Sequence, residues 1–228
     1  MTEAEWLAAT DLQTMLRAVL GKISARKSRL FGVGSCRRVW ELLDQDARNA
    51  LAVVERFADG LATDADRSEA RKVAQRSAQP RGTTSRPTAP KSQRRAASAV
   101  YYAASRDADQ ASAACQLSVE ALVWRFGDDA NCDWQALSPA EYVSEAQLLR
   151  CVVGNPFRPV TFDSSWLTST VVSLAEGIYA DRAFDRLPIL ADALQDAGCD
   201  SADVLGHCRG PGPHARGCWV IDLLLGKS

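Results

Sequence analysis

The sequence lacks charge of one sign: 27 Lys and Arg against 28 Asp and Glu leave a formal net charge of −1 over 228 residues. No global field therefore steers it towards nucleic acid or a membrane surface. A long hydrophobic run is also missing. The longest strongly apolar stretch, Cys218 to Leu225, is interrupted by Asp222, whereas a membrane-spanning helix needs about 20 apolar residues. The acidic start, Met1-Thr2-Glu3-Ala4-Glu5-Trp6, has none of the basic-then-apolar pattern of a secretion signal. Seven cysteines is an odd number, in a chain large enough to fold without staples. A reduced, cytoplasmic setting is expected rather than a disulfide framework. Period-2 alternation is scarce too, and only Val160-Thr161-Phe162 reads as a strand. What remains is an ordinary globular composition, 46% hydrophobic and 24% charged, with ample chain for a core.

Net neutrality conceals two opposed regions. Between Arg71 and Arg106 stand nine basic residues and no acidic one, leaving eighteen basic against twenty-eight acidic elsewhere. Pro80, Pro87 and Pro90 punctuate the same stretch in a Ser/Thr/Gln/Gly background. Proline removes a backbone donor and restricts its predecessor, so residues 76–93 read as a basic flexible linker or loop. A nucleic-acid arm spanning residues 71–106 is the competing reading, since each Lys or Arg on a phosphate releases counterions. No aromatic residue is interleaved before Tyr101, so stacking on bases is not provided for. The linker reading is preferred.

Either side of that stretch the periodicity is helical. Leu12, Met15, Leu16, Val19 and Leu20 form one apolar stripe, and Thr2 with Glu5 has capping-box spacing for a first helix that buries Trp6. Leu30 to Leu43 reads as the next helix and Ala50 to Leu61 as another, with Thr63-Asp64-Ala65-Asp66 marking a fresh start. Residues 93–125 are Ala-rich and predict one long helix, ended by Gly127-Asp128-Asp129. Ser138-Pro139-Ala140-Glu141 predicts a helix beginning at Pro139. Further helices are expected after Asp163 or Ser164, over Pro188 to Ala197, over Ser201 to His207, and over Pro213 to Leu225.

The chain's two histidines, His207 and His214, lie near Cys199, Cys208 and Cys218. A helix from Pro213 would put His214 and Cys218 one turn apart on one face, with Asp222 continuing the stripe. A His-x3-Cys pair is half a zinc site, and Cys199 with His207 can complete a tetrahedron, Cys208 being an alternative. The candidate metal ligands are thus Cys199, His207, His214 and Cys218. Their spacing matches no module built on Cys-x2-Cys knuckles. No cofactor is therefore expected as a requirement, and zinc is the metal these ligands suit. A Cys218–His214–Asp222 nucleophile is disfavoured, because one helix would stack Asp222 beside Cys218 rather than behind His214. Gly226-Lys227-Ser228 is no phosphate loop, since the required upstream glycine position is Ile221. No catalytic residue is assigned.

Longer motifs sit at the two ends: Met1-Thr-Glu-Ala-Glu-Trp-Leu7, Cys36-Arg-Arg-Val-Trp40, Gly154-Asn-Pro-Phe-Arg-Pro159, Ala180-Asp-Arg-Ala-Phe-Asp-Arg186 and Arg209-Gly-Pro-Gly-Pro-His-Ala-Arg-Gly-Cys-Trp219. Together they resemble a paralogous family of uncharacterised planctomycete proteins over nearly the whole chain. Residues 76–93 depart from it, because the family's middle is Ala-rich and proline-poor. The resemblance implies no established activity. Some relatives carry a label linking them to Smi1/Knr4-type proteins, a group used in toxin immunity and regulatory scaffolding.

Within the matched region, Phe157, Arg158, Arg182, Phe184, Arg186, Arg209 and Arg216 come from loops and helix starts. If they converge they form an Arg/aromatic surface of the kind found at binding hot spots. Otherwise the arginines pair with Asp163, Asp181 and Asp185, and the phenylalanines anchor the core. The sequence thus reads as an all-α, irregular multi-helix array of helical hairpins with a basic, Pro-containing loop in its middle. An N-terminal helical part (1–75), the linker (76–93) and a C-terminal helical part (94–228) follow one another, and the two helical parts can share one core. The expected function is a non-enzymatic protein-interaction module of adaptor or immunity type, with a protein partner and no membrane. A zinc-stabilised or nucleic-acid-associated helical domain is the alternative.

Overall fold

A computed structural model describes residues 1–19, 21–79, 89–125, 134–161 and 163–227. Among them the chain is all-α, with no strand. In order come α1 (Glu3–Ala8), α2 (Leu12–Val19), α3 (Ala25–Arg38), α4 (Gln45–Ala58), α5 (Asp64–Ala78), α6 (Lys91–Ala103), α7 (Ala111–Arg125) and α8 (Trp134–Val153). Then follow α9 (Ser169–Asp181), α10 (Leu187–Asp196), α11 (Ala202–Arg209) and α12 (Trp219–Leu224), with short 3-10 turns between several of them. No helix among the described residues is long and apolar enough to cross a membrane.

Six of the twelve described α-helices start at side chains that satisfy the first free amides. Thr2 and Glu5 form a reciprocal capping box at α1, and Thr63 and Asp66 form another at α5. Ser24, Asp44, Thr168 and Ser201 cap α3, α4, α9 and α11 through one side-chain oxygen each.

The chain divides into two compact units, Thr10–Glu145 and Met1–Ala9 with Ala146–Ser228. The 1–75 and 94–228 parts expected from the sequence are therefore not the compact bodies. In the first unit α6 and α7 pack back on α3, α4 and α5, so that Val33, Leu51, Val54, Ala74, Val100 and Ala121 share one core. Small residues of α5 and α6 (Ala70, Ala74, Ala96, Ala97) belong to the same core. In the second unit Val171, Ile178, Leu187, Leu190, Leu194 and Ile221 make a separate core. Each such side chain contributes about 1.5–3 kcal/mol when fully buried. Trp6 is fully buried in this unit, and Arg150 donates to its carbonyl at 2.7 Å and to that of Ala9, satisfying the end of α1.

Several expectations are corrected. The single helix over 93–125 is two, α6 and α7, because Ser105 to Asp109 offers the backbone local partners. Asp107 Oδ1 accepts from the Asp109 amide at 2.9 Å. The freed carbonyls at the end of α6 go to two buried arginines. Arg29 reaches Ala103 and Ser105 (3.2 and 2.7 Å), and Arg67 reaches Ala104 (2.6 Å). The helix expected over 30–43 starts earlier and stops at Arg38, where a 3-10 turn, Trp40–Leu42, takes over. Leu61 lies beyond α4 and is 63% exposed. The Ser138–Glu141 start signal is overridden: α8 already begins at Trp134 and carries Pro139 inside it, losing one backbone hydrogen bond there.

Asp163 caps only a 3-10 turn, and α9 waits for Thr168. Val160 and Thr161 are irregular, while Phe162 lies outside the described residues. The expected helix from Pro213 begins only at Trp219. Gly217, at φ 87°, is left-handed and cannot sit in a right-handed helix. Of the linker, residues 76–78 finish α5 and 91–93 open α6. Positions 80–88, the 127–129 helix stop and Leu20 lie outside the described residues.

Candidate functional site

The seven residues expected at a partner surface have varied surroundings. Arg158 pairs with Glu3 and Asp203 at 3.0 and 3.1 Å, and Arg209 reaches Asp192 and Gln195 at 2.8 and 2.7 Å. Arg216 donates to the carbonyls of Tyr179 and Ala180 and lies over the Tyr179 ring. Asp163, one of the expected acidic partners, accepts from the Ser165 amide. Arg182 is the exposed, left-handed C-cap of α9, and Arg186 is exposed at the start of α10. Phe184 packs half-buried against the C-terminal core, whereas Phe157 is 37% exposed. Three of the five arginines thus serve the unit's own architecture.

Of the expected metal ligands, His207, His214 and Cys218 converge, and Cys151 joins them in place of Cys199. Their donor atoms all lie within 4.8 Å of one another. Cys151 comes from the last turn of α8, His207 from α11, His214 from the segment before α12, and Cys218 is the N-cap of α12. His214 and Cys218 therefore meet without sharing a helix. Cys151 Sγ stands 3.7 Å from His214 Nδ1, and His207 Nε2 stands 3.2 Å from Cys218 Sγ. The two imidazoles stack edge to face at 4.9 Å, and His207 also packs on Trp219. Both sulfurs are buried and both imidazoles half-buried. Burial alone would push the Cys218 thiol up, but the facing Cys151, His207 and His214 hold it well below its ordinary range. Burial acts to lower His214, yet Cys218 and the Gly210 carbonyl raise it above the usual imidazole value.

Cys199 and Cys208 lie in the same apolar core, and burial raises both thiols. Cys151 gave no signal in the sequence, because its partners follow 56 to 67 positions later. Cys218 has no exposed surface. A thiol nucleophile needs access to its substrate, so the close Cys218–His207 contact is poorly placed for catalysis.

A second arrangement, in the first unit, was also missed. Asp44 at the start of α4 meets Ser77 at the end of α5 (3.1 Å), so the two helices form an antiparallel hairpin. Along it runs a groove of ≈ 320 Å³. Ala50 and Ala70 form its buried floor, and Val53 and Val73 are half-buried in it. The ionisable lining residues are Asp46, Asp66 and Glu69, all acidic and exposed. The two helices contribute the same pattern, Asp46-x3-Ala50-x2-Val53 and Asp66-x3-Ala70-x2-Val73. Both patterns place a carboxylate one turn before the alanine on one helix face. Glu69 also makes exposed ion pairs with Lys72 and Arg76 at 3.3 and 3.6 Å, contacts worth little in water.

The first unit also holds a buried charge cluster. Glu145 is fully buried on α8 and accepts from Arg38 at 2.6 Å and Ser35 at 2.7 Å, while Arg38 reaches Glu141 as well. Burial raises the Glu145 carboxyl above its ordinary range, although Arg38 and Ser35 act in the opposite direction.

Comparison with protein-family models, curated proteins and solved structures finds no match to this chain.

Proposed function

We propose that this protein is a non-enzymatic interaction module that holds a basic segment of a partner protein in the α4–α5 groove. The observation that carries this reading is the groove's composition, an apolar floor and walls bounded by three carboxylates with no cation among the lining residues. Small floor residues let a partner backbone or side chain come close, and burial of its apolar anchor supplies affinity. The carboxylates favour lysine or arginine on either side of that anchor and repel acidic competitors. Because the hairpin is antiparallel, Asp46 and Asp66 stand towards opposite ends of the groove, which suits a segment basic on both flanks. The six described cysteines are all free and buried, in keeping with the reducing cytoplasm proposed as its location. An adaptor or immunity role, as the resemblance to the planctomycete family and its Smi1/Knr4-labelled relatives implies, would use such a surface.

The test is fluorescence anisotropy with two labelled amphipathic peptides that share their apolar positions, one flanked by Lys and Arg, the other by Glu. The basic peptide should bind, more weakly as salt rises, and D46K combined with E69K should weaken it at least tenfold. Equal binding of both peptides, no binding of the basic one, or self-association of the chain that the same two substitutions abolish would overturn the reading.

A further inference from the structure

The thiol–imidazole cluster of the C-terminal unit stands apart from the groove and has a more specific chemistry. Four potential ligand residues meet there although they come from four separate segments, with Cys151 and Cys218 lying 67 positions apart. Hydrophobic packing alone gives no reason for half of a small unit's thiols and both of the chain's imidazoles to aim their donor atoms at one point. Cys199 and Cys208, buried in the same core, do not take part.

The spacing is informative. In a tetrahedral zinc site, Zn–S near 2.3 Å and Zn–N of 2.0–2.1 Å place neighbouring sulfur and nitrogen ligands about 3.6 Å apart. The two sulfur–nitrogen separations, 3.7 Å for Cys151–His214 and 3.2 Å for His207–Cys218, lie on either side of that edge length. The widest separation in the cluster, within 4.8 Å, still permits one ion to reach all four atoms after small side-chain adjustments.

Outer contacts orient the ligands as metal sites require. His214 Nε2 lies 3.3 Å from the Gly210 carbonyl. A proton on that nitrogen would donate to the carbonyl and leave Nδ1, the atom facing Cys151, free to coordinate. His207 is held by the edge-to-face contact with His214 and by the Trp219 ring. Gly212 serves the same geometry: at φ 83°, a Cβ there would lie 3.0 Å from the His214 amide nitrogen and 3.1 Å from its ring. A Cβ at Gly154 would come within 3.1 Å of the Trp219 ring. The turn after Cys151 therefore sits directly against the helix that Cys218 opens.

We propose that Cys151, His207, His214 and Cys218 bind a single zinc ion in a closed, structural site that ties α8, α11 and the Gly210–Gly217 segment to α12. Two thiolates and two imidazoles suit zinc and exclude the hard, oxygen-seeking Ca²⁺ and Mg²⁺. All four positions of the tetrahedron come from the protein, so no site is left for water or substrate, as in structural rather than catalytic zinc centres. Binding releases the thiol protons and couples metal affinity to folding of this unit.

The experiment uses the full chain, purified without chelator or metal-affinity tag. Zinc content is measured by mass spectrometry, and the metal-stripped protein is then titrated with Co²⁺. One zinc per chain is expected, with cobalt giving the visible bands of a tetrahedral ion and a thiolate-to-metal absorption for two sulfurs. C151S should remove the zinc and at least halve the thiolate band, whereas C199S should leave both unchanged. H214C provides the safeguard if C151S fails to fold, since it keeps four ligands and should bind cobalt with a stronger thiolate band. Chelation should lower the melting temperature of the parent protein and not that of C151S. Absence of zinc together with no tetrahedral cobalt spectrum in the parent overturns the proposal. So does a spectrum that is lost in C199S or unaltered in H214C.

Discussion

The Arg38 guanidinium and the Glu145 carboxylate meet at 2.6 Å although they lie 107 positions apart, and the carboxylate has no exposed surface. Ser35 donates to the same group, and Glu141 shares the arginine. Burial nevertheless outweighs Arg38 and Ser35 and raises the Glu145 carboxyl above its ordinary range.

That imbalance predicts a pH dependence. A raised folded-state pKa means that the native protein holds the Glu145 proton more tightly than the unfolded chain does. Its contribution to stability is complete below the ordinary glutamate range and is lost as pH rises through the folded value. Glu145→Gln has no such proton to lose. Its urea midpoint, taken relative to the parent, should therefore rise as pH is raised from the ordinary glutamate range upward. A constant difference as pH is raised would mean the carboxyl titrates as it does in the unfolded chain.

Arg29 is 6% exposed and spends its donors on the carbonyls of Ala103, Ser105 and Arg106. Arg29→Met keeps much of the bulk over Phe57, which the guanidinium covers at 5.0 Å, but orphans buried acceptors. A loss of about 3 kcal/mol is expected in chemical denaturation. A loss below about 1 kcal/mol would show that water or Arg67 takes over the carbonyls.

Asp44 caps α4 through the Ala47 amide at 2.8 Å and accepts from Ser77 Oγ at 3.1 Å. Asp44→Ala should cost about 1–2 kcal/mol, and Asp44→Asn much less, because Asn caps equally well. Equal losses would assign the effect to charge rather than to capping.

Gly212→Ala should destabilise the C-terminal unit by about 1–3 kcal/mol, through the left-handed backbone and the crowding of His214. Amide hydrogen exchange should speed up in residues 210–218 first. Unchanged exchange there would show that the loop relaxes without moving His214.

The parts of the fold legible in the sequence are those whose causes lie within one helical turn. Thr2 with Glu5 announced α1 and its buried Trp6, and Thr63 began α5, as the sequence reading expects. The start signal at Ser138-Pro139 was equally local yet lost, because α8 continues back to Trp134. A propensity of this kind is a weak prior when the surrounding packing favours more helix. The break between α6 and α7 was hidden for the opposite reason. Its carbonyls are satisfied by Arg29 and Arg67, residues 37 to 76 positions away, so no neighbouring letter marks it. The paired Asp-x3-Ala-x2-Val patterns are visible in the sequence once the groove is known. Only the antiparallel hairpin gives them a shared purpose.

The sequence by itself determined the all-α class, some of the caps and the apolar stripes, because these depend on side chains reaching backbone or neighbours three or four residues away. It also placed His207, His214 and Cys218 in the right stretch of chain. Tertiary structure alone brought Cys151 in place of Cys199, put His214 in an irregular segment between the left-handed Gly212 and Gly217 instead of a helix, and folded α6 and α7 onto α3 to α5. Those outcomes come from burying two separate apolar cores while finding partners for most of the polar groups caught between helices. Partners more than 50 residues apart are chosen by that packing, and no short-range periodicity encodes them.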